Sequence, residues 1–521
     1  MKNVINKGIE NGEALRLRCI IVYLFILLSI KKGVLMIRPF GFTSLALLLS
    51  LLPTAITVAK DCCIQQKDIP LVIKNSGEYR LEEDIIYDGA GAAITIKADN
   101  VKLNLETFSL SLSNVNATGI LVKNVSEFVI ESDAIKNISS KTQNGNAIHI
   151  VNSRKGLLAN LLTVNNFNGL FIENSSDILV QDSEFFTSNN AGALVSGSTN
   201  ITFVTCVFAN CGNGLKFSGA NQDCALVNSA FPSATFSNLL VQQMNGMFVE
   251  NCSFTNVGGA PTKLNLVQFG DADPAQLCND VIFKNCTLVN RPAHTPTLGN
   301  TAPEGLGIYQ GSGFLVEDCV VDIDNTNQDP AADLSCYHVS NPGLGVSGTT
   351  ASNVVFRNCI AQGPATDGFY PDVSSSGVVI ENCFATDAQK DGIFVAGTSA
   401  CTVQNNTVVN NGTNGIFVGE TSVANAVNNN VVSGNGFNPI VSSLPPFGNG
   451  ISIASDSSLN TVQRNEVFNN AVNGVDDQGT GNRIFYNTAY ANVNKNYNAA
   501  TDVIVVSAPG APSKAAENIS A

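Results

Sequence analysis

The chain is short of charged residues, and of basic ones above all. Only 13% of its 521 residues are charged, and 42 Asp and Glu outnumber 28 Lys and Arg. Seven of the basic and two of the acidic residues precede residue 60, which leaves 21 basic against 40 acidic residues and a formal charge of −19 for the remainder. Such a surface repels polyanions. We therefore expect no nucleic-acid partner, and an anionic polysaccharide would need a bridging cation, for which Ca²⁺ is the candidate.

Signatures of a transition-metal site are also missing. The sequence has no Cys-x-x-Cys pair, and its three His, which are His149, His294 and His338, do not form a pair at ligand spacing. Structural zinc sites need four Cys or His ligands, usually grouped in such pairs. We therefore predict no transition-metal site, and the fourteen Cys need another explanation.

A helical hydrophobic period is absent, and a short repeat takes its place. The repeat consists of an apolar residue, two residues of any type, a small polar or Cys residue, one residue of any type and a second apolar residue. It recurs at steps of 22 to 27 residues, or of 33 to 40 residues where segments are inserted. A repeat of this length without a helical pattern predicts one coil of a stacked β-solenoid. The fifteen middle residues, which we call the column, are Glu106, Asp133, Asn160, Ser183, Cys206, Ser229, Cys252, Cys286, Cys319, Cys359, Cys383, Asn406, Asn430, Asn465 and Asn487.

Each coil is predicted to contain three short strands. In a strand, two side chains point to the same face only when they are an even number of residues apart. The apolar residue two positions after the column residue meets this condition, but the one three positions before it does not. Both can point inward if the chain bends just before the column residue. A third strand begins about fourteen residues earlier, usually with Asn-Gly or Asp-Gly and then apolar-x-apolar, as in Gly392-Ile393-Phe394-Val395. Gly and Asn suit the left-handed backbone of the turn that enters this strand.

The cysteines of the column are predicted to be buried, reduced thiols. Column neighbours on stacked strands lie about 4.8 Å apart, which is longer than the Cβ separation that a disulfide prefers. Asn replaces Cys from Asn406 onward and is expected to form a hydrogen-bonded ladder. The better disulfide candidates are the cysteines off the column, namely Cys62, Cys63, Cys211, Cys224, Cys278, Cys336 and Cys401.

Residues 1–59 are predicted to be a targeting region. The stretch 36–59 begins at Met36, contains Arg38 and an apolar run, and ends in Thr57-Val58-Ala59, as a secretory signal does. We expect cleavage after Ala59 and export to the periplasm, cell surface or medium. An alternative is that the apolar residues 19–30 anchor the chain, although twelve residues are short for a membrane span. No other segment is apolar enough to cross a membrane.

The repeat resembles the right-handed parallel β-helix of the pectin-lyase-like superfamily. The segments 76–81 and 93–105 look like the usual first coil of its bacterial members, and the resemblance covers residues 68 to 498. It implies an all-β fold, a single-stranded right-handed parallel β-helix of about 15 coils with three short strands each, in a domain of residues 60–498 before a low-complexity tail at 499–521. The superfamily contains lyases, hydrolases, epimerases and plain binding proteins, so the reaction stays open.

A local resemblance points to mannuronan C5-epimerases. Residues 367–372, Asp-Gly-Phe-Tyr-Pro-Asp, fit the family box Tyr-Gly-Phe-Asp-Pro-His without gaps, and Gly368, Phe369 and Pro371 agree with it. The departures fall on the catalytic positions, where the chain has Asp367, Tyr370 and Asp372 in place of the family's Tyr, Asp and His.

The period breaks and the strand alternation predict where a ligand lies. Insertions at 291–304, 325–342 and 434–447 project from the same corner of the coil and form a wall beside the sheet made by the third strands, which begin with Gly. A further insertion, 270–279, projects from the other end of that strand. The wall contributes Arg291, His294, Tyr337 and His338. Outward residues of the strand form a floor on which sugar rings can lie, if loops do not simply cover it: Tyr309, Ser347, Tyr370, Phe394, Phe417 and Ser452.

Acidic residues beside this floor are candidates for acid/base chemistry. We predict substrate contacts from Tyr309, Tyr370, Phe394, Phe417 and Arg291, and catalytic roles for Asp372, Tyr370, Asp367, Asp391 and His338. A carboxylate pair with Tyr or His could act on a glycosidic bond or on a uronate C5 proton. The structural alternative is that Asp-Gly pairs such as Asp367-Gly368 and Asp391-Gly392 are ordinary turns.

Two functions remain open at the level of the sequence. The first is an exported β-helix protein that binds a polysaccharide along the aromatic floor and either modifies it or leaves it intact. The second is a structural or adhesive surface protein whose loops contact a protein partner. A floor left open between its loops favours the first, and a covered floor favours the second.

Overall fold

A computed structural model of the chain describes most of the predicted helix. The ranges described are 62–114, 116–133, 137–140, 145–257, 265–270, 277–291, 304–324, 335–339, 351–373, 375–437, 448–499 and 504–506. The predicted targeting region and the C-terminal tail lie outside them, apart from residue 499 and the strand at 504–506. No helix in the described part is long and apolar enough to cross a membrane.

The chain winds into a right-handed parallel β-solenoid of about 15 turns, as the repeat predicted. Each turn passes through three sheets in the same order, and every strand pairs in parallel with the equivalent strands of adjacent turns. Inward side chains of all three sheets form one continuous apolar core. The only helix in the described residues is the 3₁₀ turn Gln66–Asp68.

Sheet 1 contains the strands that begin with the Asn-Gly and Asp-Gly turns. Its seventeen strands are Leu71–Ile73, Gly91–Ile96, Ala117–Lys123, Asn146–Val151, Asn168–Glu173, Ala191–Ser196, Asn213–Ser218, Leu239–Val241, Val267–Phe269, Leu306–Ile308, Tyr337–Val339, Phe369–Pro371, Ile393–Ala396, Ile416–Gly419, Ile451–Ile453, Asn473–Asp477 and Lys495–Ala499.

Sheet 2 follows sheet 1 in each turn. Its eighteen strands are Cys62–Ile64, Gly77–Leu81, Val101–Asn104, Ser126–Glu131, Arg154–Ala159, Ser176–Gln181, Thr199–Val204, Asn221–Val227, Met244–Glu250, Cys278–Lys284, Gly311–Glu317, Ala351–Arg357, Val379–Glu381, Thr402–Gln404, Ala426–Asn428, Thr461–Gln463, Arg483–Phe485 and Ile504–Val506.

Sheet 3 completes the turn after the column. Its sixteen strands are Ile85–Tyr87, Leu110–Leu112, Asn137–Ser140, Leu162–Val164, Glu184–Phe186, Val207–Cys211, Ala230–Ala234, Ser253–Val257, Thr287–Arg291, Val320–Ile323, Ile360–Gln362, Phe384–Thr386, Thr407–Val409, Val431–Ser433, Glu466–Phe468 and Thr488–Tyr490.

The predicted bend lies between sheets 2 and 3, at a residue with left-handed backbone. Asn251, Asn285 and Asn382 have φ of 55°, 51° and 55°, and each directly precedes a column Cys. Asn tolerates this backbone better than other non-glycine residues, so the bend costs little. The column prediction was wrong for its first three members: Glu106 is half-buried, and Asp133 and Asn160 are exposed.

The column cysteines are buried and reduced, as predicted. Cys206, Cys252, Cys286, Cys319, Cys359 and Cys383 are at most 3% exposed, and none of the cysteines in the described residues forms a disulfide. The cysteines off the column, proposed above as disulfide candidates, are therefore free as well. Burial raises the pKa of Cys206 to about 12 and that of Cys211 to about 11, so these thiols behave as small apolar groups.

Asn ladders replace the thiols in the last coils, and there are more of them than the single ladder predicted. In each, a side-chain Oδ1 accepts the backbone N–H of the equivalent residue one turn earlier. Because burial leaves these amides no water, each ladder satisfies its own polar groups inside the coil. The ladders comprise Asn406, Asn430, Asn465 and Asn487 between sheets 2 and 3; Asn425, Asn460 and Asn482 between sheets 1 and 2; and Asn411, Asn435, Asn470 and Asn492 after sheet 3.

Candidate functional site

The predicted floor is the outer face of sheet 1, and strand register defines its central row. His338 pairs with Tyr370, Phe394 pairs with Phe417, and Phe417 pairs with Ser452. The inward partners Phe369, Ile393 and Ile416 are fully buried, as the alternation predicted. We call the four stacked residues His338, Tyr370, Phe394 and Phe417 the ring row.

His338 reaches this row by a different route from the one predicted. The sequence analysis placed His338 and Tyr337 in a wall loop and Ser347 on the floor, but the strand Tyr337–Val339 belongs to sheet 1. Tyr337 therefore points inward, where it stacks on Phe369 with ring centroids 4.7 Å apart. Ser347 lies outside the described residues.

The rings of the row stack face to face. Ring centroids are 4.6 Å apart for His338 and Tyr370, 5.0 Å for Tyr370 and Phe394, and 5.1 Å for Phe394 and Phe417, at interplanar angles of 15°, 4° and 19°. Both faces of Tyr370 and Phe394 are therefore in contact with neighbouring rings. The row offers ring edges, not open ring faces, to a ligand.

A hydrogen-bonded network adjoins the N-terminal end of the ring row. The Asn265 amide donates to Glu304 Oε2 at 2.9 Å and to the Tyr309 hydroxyl at 2.6 Å, and that hydroxyl donates to Glu304 Oε2 at 3.2 Å. The other Glu304 oxygen, Oε1, hydrogen-bonds His338 Nδ1. Glu304 and His338 are only 8% and 10% exposed at their side chains, so this pair lies largely out of water.

A glycine makes room for the network. Gly307 occupies the row position one turn before His338, between Gln268 and His338. A Cβ on Gly307 would lie 2.2 Å from the Asn265 amide nitrogen and 3.2 Å from a Glu304 carboxylate oxygen. Its missing side chain is thus the space through which Glu304 reaches the next coil.

Asp372 lies on the opposite side of the imidazole. Its Oδ2 is 3.6 Å from His338 Nε2, within ion-pair distance but longer than a hydrogen bond. Its other oxygen accepts the Val373 N–H at 2.5 Å, which orients the carboxylate. At 21% exposure Asp372 is the most accessible member of the Glu304–His338–Asp372 group, so a substrate would meet this carboxylate before the imidazole.

Asp367 and Asp391 have a different environment from Asp372. Asp367 Oδ1 accepts the Asp391 N–H at 3.0 Å, and Asp391 Oδ1 accepts the Asn414 N–H at 2.8 Å, as Asn414 does for Asn449 one turn later. Both carboxylates are buried, and burial raises the pKa of Asp391. They belong to a further corner ladder, in which Asn265 Oδ1 accepts the Glu304 N–H at 3.2 Å in the same way, and this favours the structural alternative for both.

Arg291 does not face the ring row. It ends the sheet 3 strand Thr287–Arg291, is about half exposed, and forms an ion pair with Asp322 of the next sheet 3 strand. His294, the other basic candidate of the wall, lies outside the described residues. The described part of the site therefore combines carboxylates, one imidazole, phenol and amide groups.

Sequence reasoning missed Glu304 and Asn265. Both lie at the turn that enters a sheet 1 strand, beside insertions that interrupt the regular spacing of the repeat. The signal that could have found them is the pair Glu304-Gly305, which stands where other coils have Asn-Gly or Asp-Gly.

The arrangement is suited to proton transfer and does not form a metal site. An imidazole between two carboxylates can accept a proton on one side while the other side fixes its tautomer and orientation. No group of three or more His, Cys, Asp or Glu in the described ranges is arranged to hold a metal ion.

Comparison with known proteins identifies the fold family. The right handed beta helix region family matches residues 70–231 and 247–458. No curated protein matches the chain.

Solved structures with similar coils share little sequence with this chain. They include a double mutant of the tailspike protein of E. coli bacteriophage HK620 (10% identity, 68% of this chain and 72% of that one, TM-score 0.40). The DFA-IIIase from Arthrobacter chlorophenolicus A6 (10% identity, 70% and 83%, TM-score 0.34) and the periplasmic alginate epimerase AlgG (11% identity, 87% and 83%, TM-score 0.25) are further examples. Identities and TM-scores this low carry no argument about activity. The family match covers well over half of the sequence, and the chain therefore belongs to the right handed beta helix region family.

Proposed function

We propose that this is an exported protein that binds a polysaccharide along the outer face of sheet 1 and acts on it at Glu304, His338 and Asp372. The observation that carries the proposal is the position of this group. His338 belongs to the Glu304–His338–Asp372 group through its hydrogen bond with Glu304, and to the ring row through its stacking on Tyr370. A chain lying along the row would therefore pass the Asp372 carboxylate.

The proposed chemistry assigns each residue a separate task. Asp372, the most accessible carboxylate of the group, either accepts a proton from a sugar carbon or, when protonated, gives one to the departing glycosidic oxygen. His338 behind it stabilises the carboxylate form. Glu304 and Asn265 orient the imidazole through Nδ1 and the adjoining amide, as buried carboxylates commonly do for a working His. Cleavage of a glycosidic bond or removal of a proton from a sugar carbon would both use this arrangement.

Export is the second part of the proposal, and it depends on the sequence of residues 36–59. The charged start, apolar run and small residues before Ala59 are those of a secretory signal. Mass spectrometry of the protein recovered outside the cytoplasm should give a mature N-terminus at Lys60. An unprocessed N-terminus on protein recovered from the cytoplasm would contradict it.

The test of function is the substitution Asp372→Asn, with Glu173→Gln as its matched control. Glu173 stands two residues after Phe171 on sheet 1, as Asp372 stands two residues after Tyr370. Glu173 also contacts a histidine, His149, at 3.3 Å, but this pair lies in an earlier part of the row, away from the proposed site. We expect Asp372→Asn to abolish product formation from the polysaccharide that wild type binds, with little change in affinity. Glu173→Gln should leave both unchanged.

The second candidate, a structural or adhesive protein with a protein partner, is favoured by the low exposure of the row. Tyr370 and Ser452 are each only 7% exposed, although both lie on the outer face of the sheet. If wild type binds no polysaccharide and yields no product, and Tyr370→Ala behaves in the same way, the structural function replaces the catalytic one.

A further inference from the structure

We infer that the polysaccharide taken by this face is neutral, and that uronate polymers are excluded. The inference rests on the proposed function and names its substrate class. It depends on the distribution of charge along sheet 1, which differs between the two halves of the solenoid.

The C-terminal half of sheet 1 has acidic side chains beside the ring row, and the one Lys in its described strands is Lys495 of the last strand, Lys495–Ala499, which donates to Asn498 Oδ1 at 3.1 Å. Among its described strands from Val267–Phe269 to Asn473–Asp477, none contains Lys or Arg, while Asp372 and Asp476 lie on the outer face. Glu304 adds a third carboxylate beside the row. Like charges at such short range repel strongly, so each uronate carboxylate placed here would lose affinity.

Other basic residues near this half lie outside the strands of sheet 1. Arg291 is paired with Asp322 on sheet 3. Lys390 precedes the strand Ile393–Ala396, where its charge acts on the buried carboxylate of Asp391. By composition, the segments outside the described residues that join these coils hold one Lys, Lys263, and four Asp, at positions 271, 273, 329 and 333.

The N-terminal half of the same sheet shows the contrast. Lys216 lies in the central row itself, between Leu194 and Leu240, and Lys97 and Lys123 are exposed at the ends of earlier sheet 1 strands. These lysines and the ring row are thus separated along the solenoid, so an anionic chain that reached the lysines would still meet carboxylates at the site.

The groups that do face the ring row suit hydroxyl-rich ligands. Gln268 and Ser452 stand at row positions on either side of the rings, and the Tyr309 hydroxyl and the Asp372 carboxylate adjoin His338. Amides, hydroxyls and carboxylates bind sugar hydroxyls by hydrogen bonds, and ring edges contact C–H groups. None of these contacts needs a charge on the sugar.

The test measures binding of hexasaccharides of three charge classes to the full protein by calorimetry. The neutral probes are gluco-, xylo- and manno-hexaose, the anionic probes are hexamannuronate and hexagalacturonate with and without Ca²⁺, and the cationic probe is the hexamer of glucosamine. We expect a neutral hexasaccharide to bind at least about tenfold more tightly than either uronate, with an affinity that changes less than about twofold between low and high NaCl, since screening affects only charged ligands.

Asp372→Asn then tests the cause. Replacing this carboxylate by an amide should raise the affinity for the uronate hexamers several-fold relative to the affinity for the neutral hexasaccharide, and an unchanged ratio would refute this cause. Tighter binding of a uronate or of the glucosamine hexamer by wild type would overturn the substrate class while leaving the proposed function intact. Binding of none of the probes by wild type would overturn both.

Discussion

Replacing one Asn of the buried ladder tests what stabilises the C-terminal coils. Asn430 Oδ1 accepts the Asn406 backbone N–H at 2.9 Å and the Asn406 side-chain amide at 3.0 Å, while its own amide donates to the Val403 carbonyl at 3.0 Å and to Asn465 Oδ1 at 2.9 Å. Asn430→Ala removes all four bonds at a site that is 1% exposed, where water cannot replace them.

The expected magnitude follows from the groups left behind. Two or three buried donors and acceptors lose a partner at about 1–3 kcal/mol each, so we expect a loss of about 3–6 kcal/mol. Cys359→Ala is the matched control, since Cys359 occupies the same column and is equally buried. Its thiol contacts backbone carbonyls, at 3.3 and 3.4 Å, and the thiols of Cys319 and Cys383, all weak partners. That substitution should cost about 1 kcal/mol, mainly for the small cavity.

Native-state hydrogen exchange followed by mass spectrometry is the suitable assay. In a solenoid each coil contacts only its neighbours, so the loss should appear as faster exchange in peptides from about 403 to 470 and leave the N-terminal coils unaffected. Equal effects of Asn430→Ala and Cys359→Ala would refute the argument, because the ladder would then contribute no more than the packing of its atoms.

Three further outcomes are expected. Tyr370→Ala should lower the free energy of unfolding, measured by denaturant titration, by about 1–2 kcal/mol, because Tyr370 is stacked on both faces. Substitution of an exposed residue would cost less, and unchanged stability would contradict the stacking. Asp391→Asn should remove a pH dependence of stability. Burial raises the pKa of Asp391 above 3.8, so its contribution to the free energy of unfolding is complete below about pH 4 and is lost as the pH rises through the folded-state pKa. Thermal melts of the variant that retain the wild-type pH profile would refute this assignment. Labelling of Cys206 and Cys211 with a thiol reagent at pH 8 should be slow in the native protein and fast in denaturant, because burial raises their pKa to about 12 and about 11. Rapid labelling of the native protein would show that these coils open.

Much of the fold could be predicted because the information is local. The side chains of a strand alternate between two faces, so the inward positions of Phe369, Ile393 and Ile416 follow from their immediate neighbours. The error at Asn160 has a local cause as well. Asn160 has a φ of 54° and is itself the bend residue, so the buried residue is the next one, Leu161.

The sequence by itself determined the coil, its period and its core, together with the outward row that contains Tyr370, Phe394 and Phe417. The tertiary structure decided the composition of the site. The strand of His338 has only three residues between two insertions, and three residues are too few to show a period, so only its pairing with Tyr370 placed it on the row. Glu304 and His338 are 34 residues apart and meet because coil stacking converts a variable sequence distance into one strand spacing of about 4.8 Å. Insertions change the first distance without affecting the second. The sequence could therefore place Tyr370, Phe394 and Phe417 on the row and name Asp372 and His338 as catalytic candidates, but it could not show that Glu304 contacts His338.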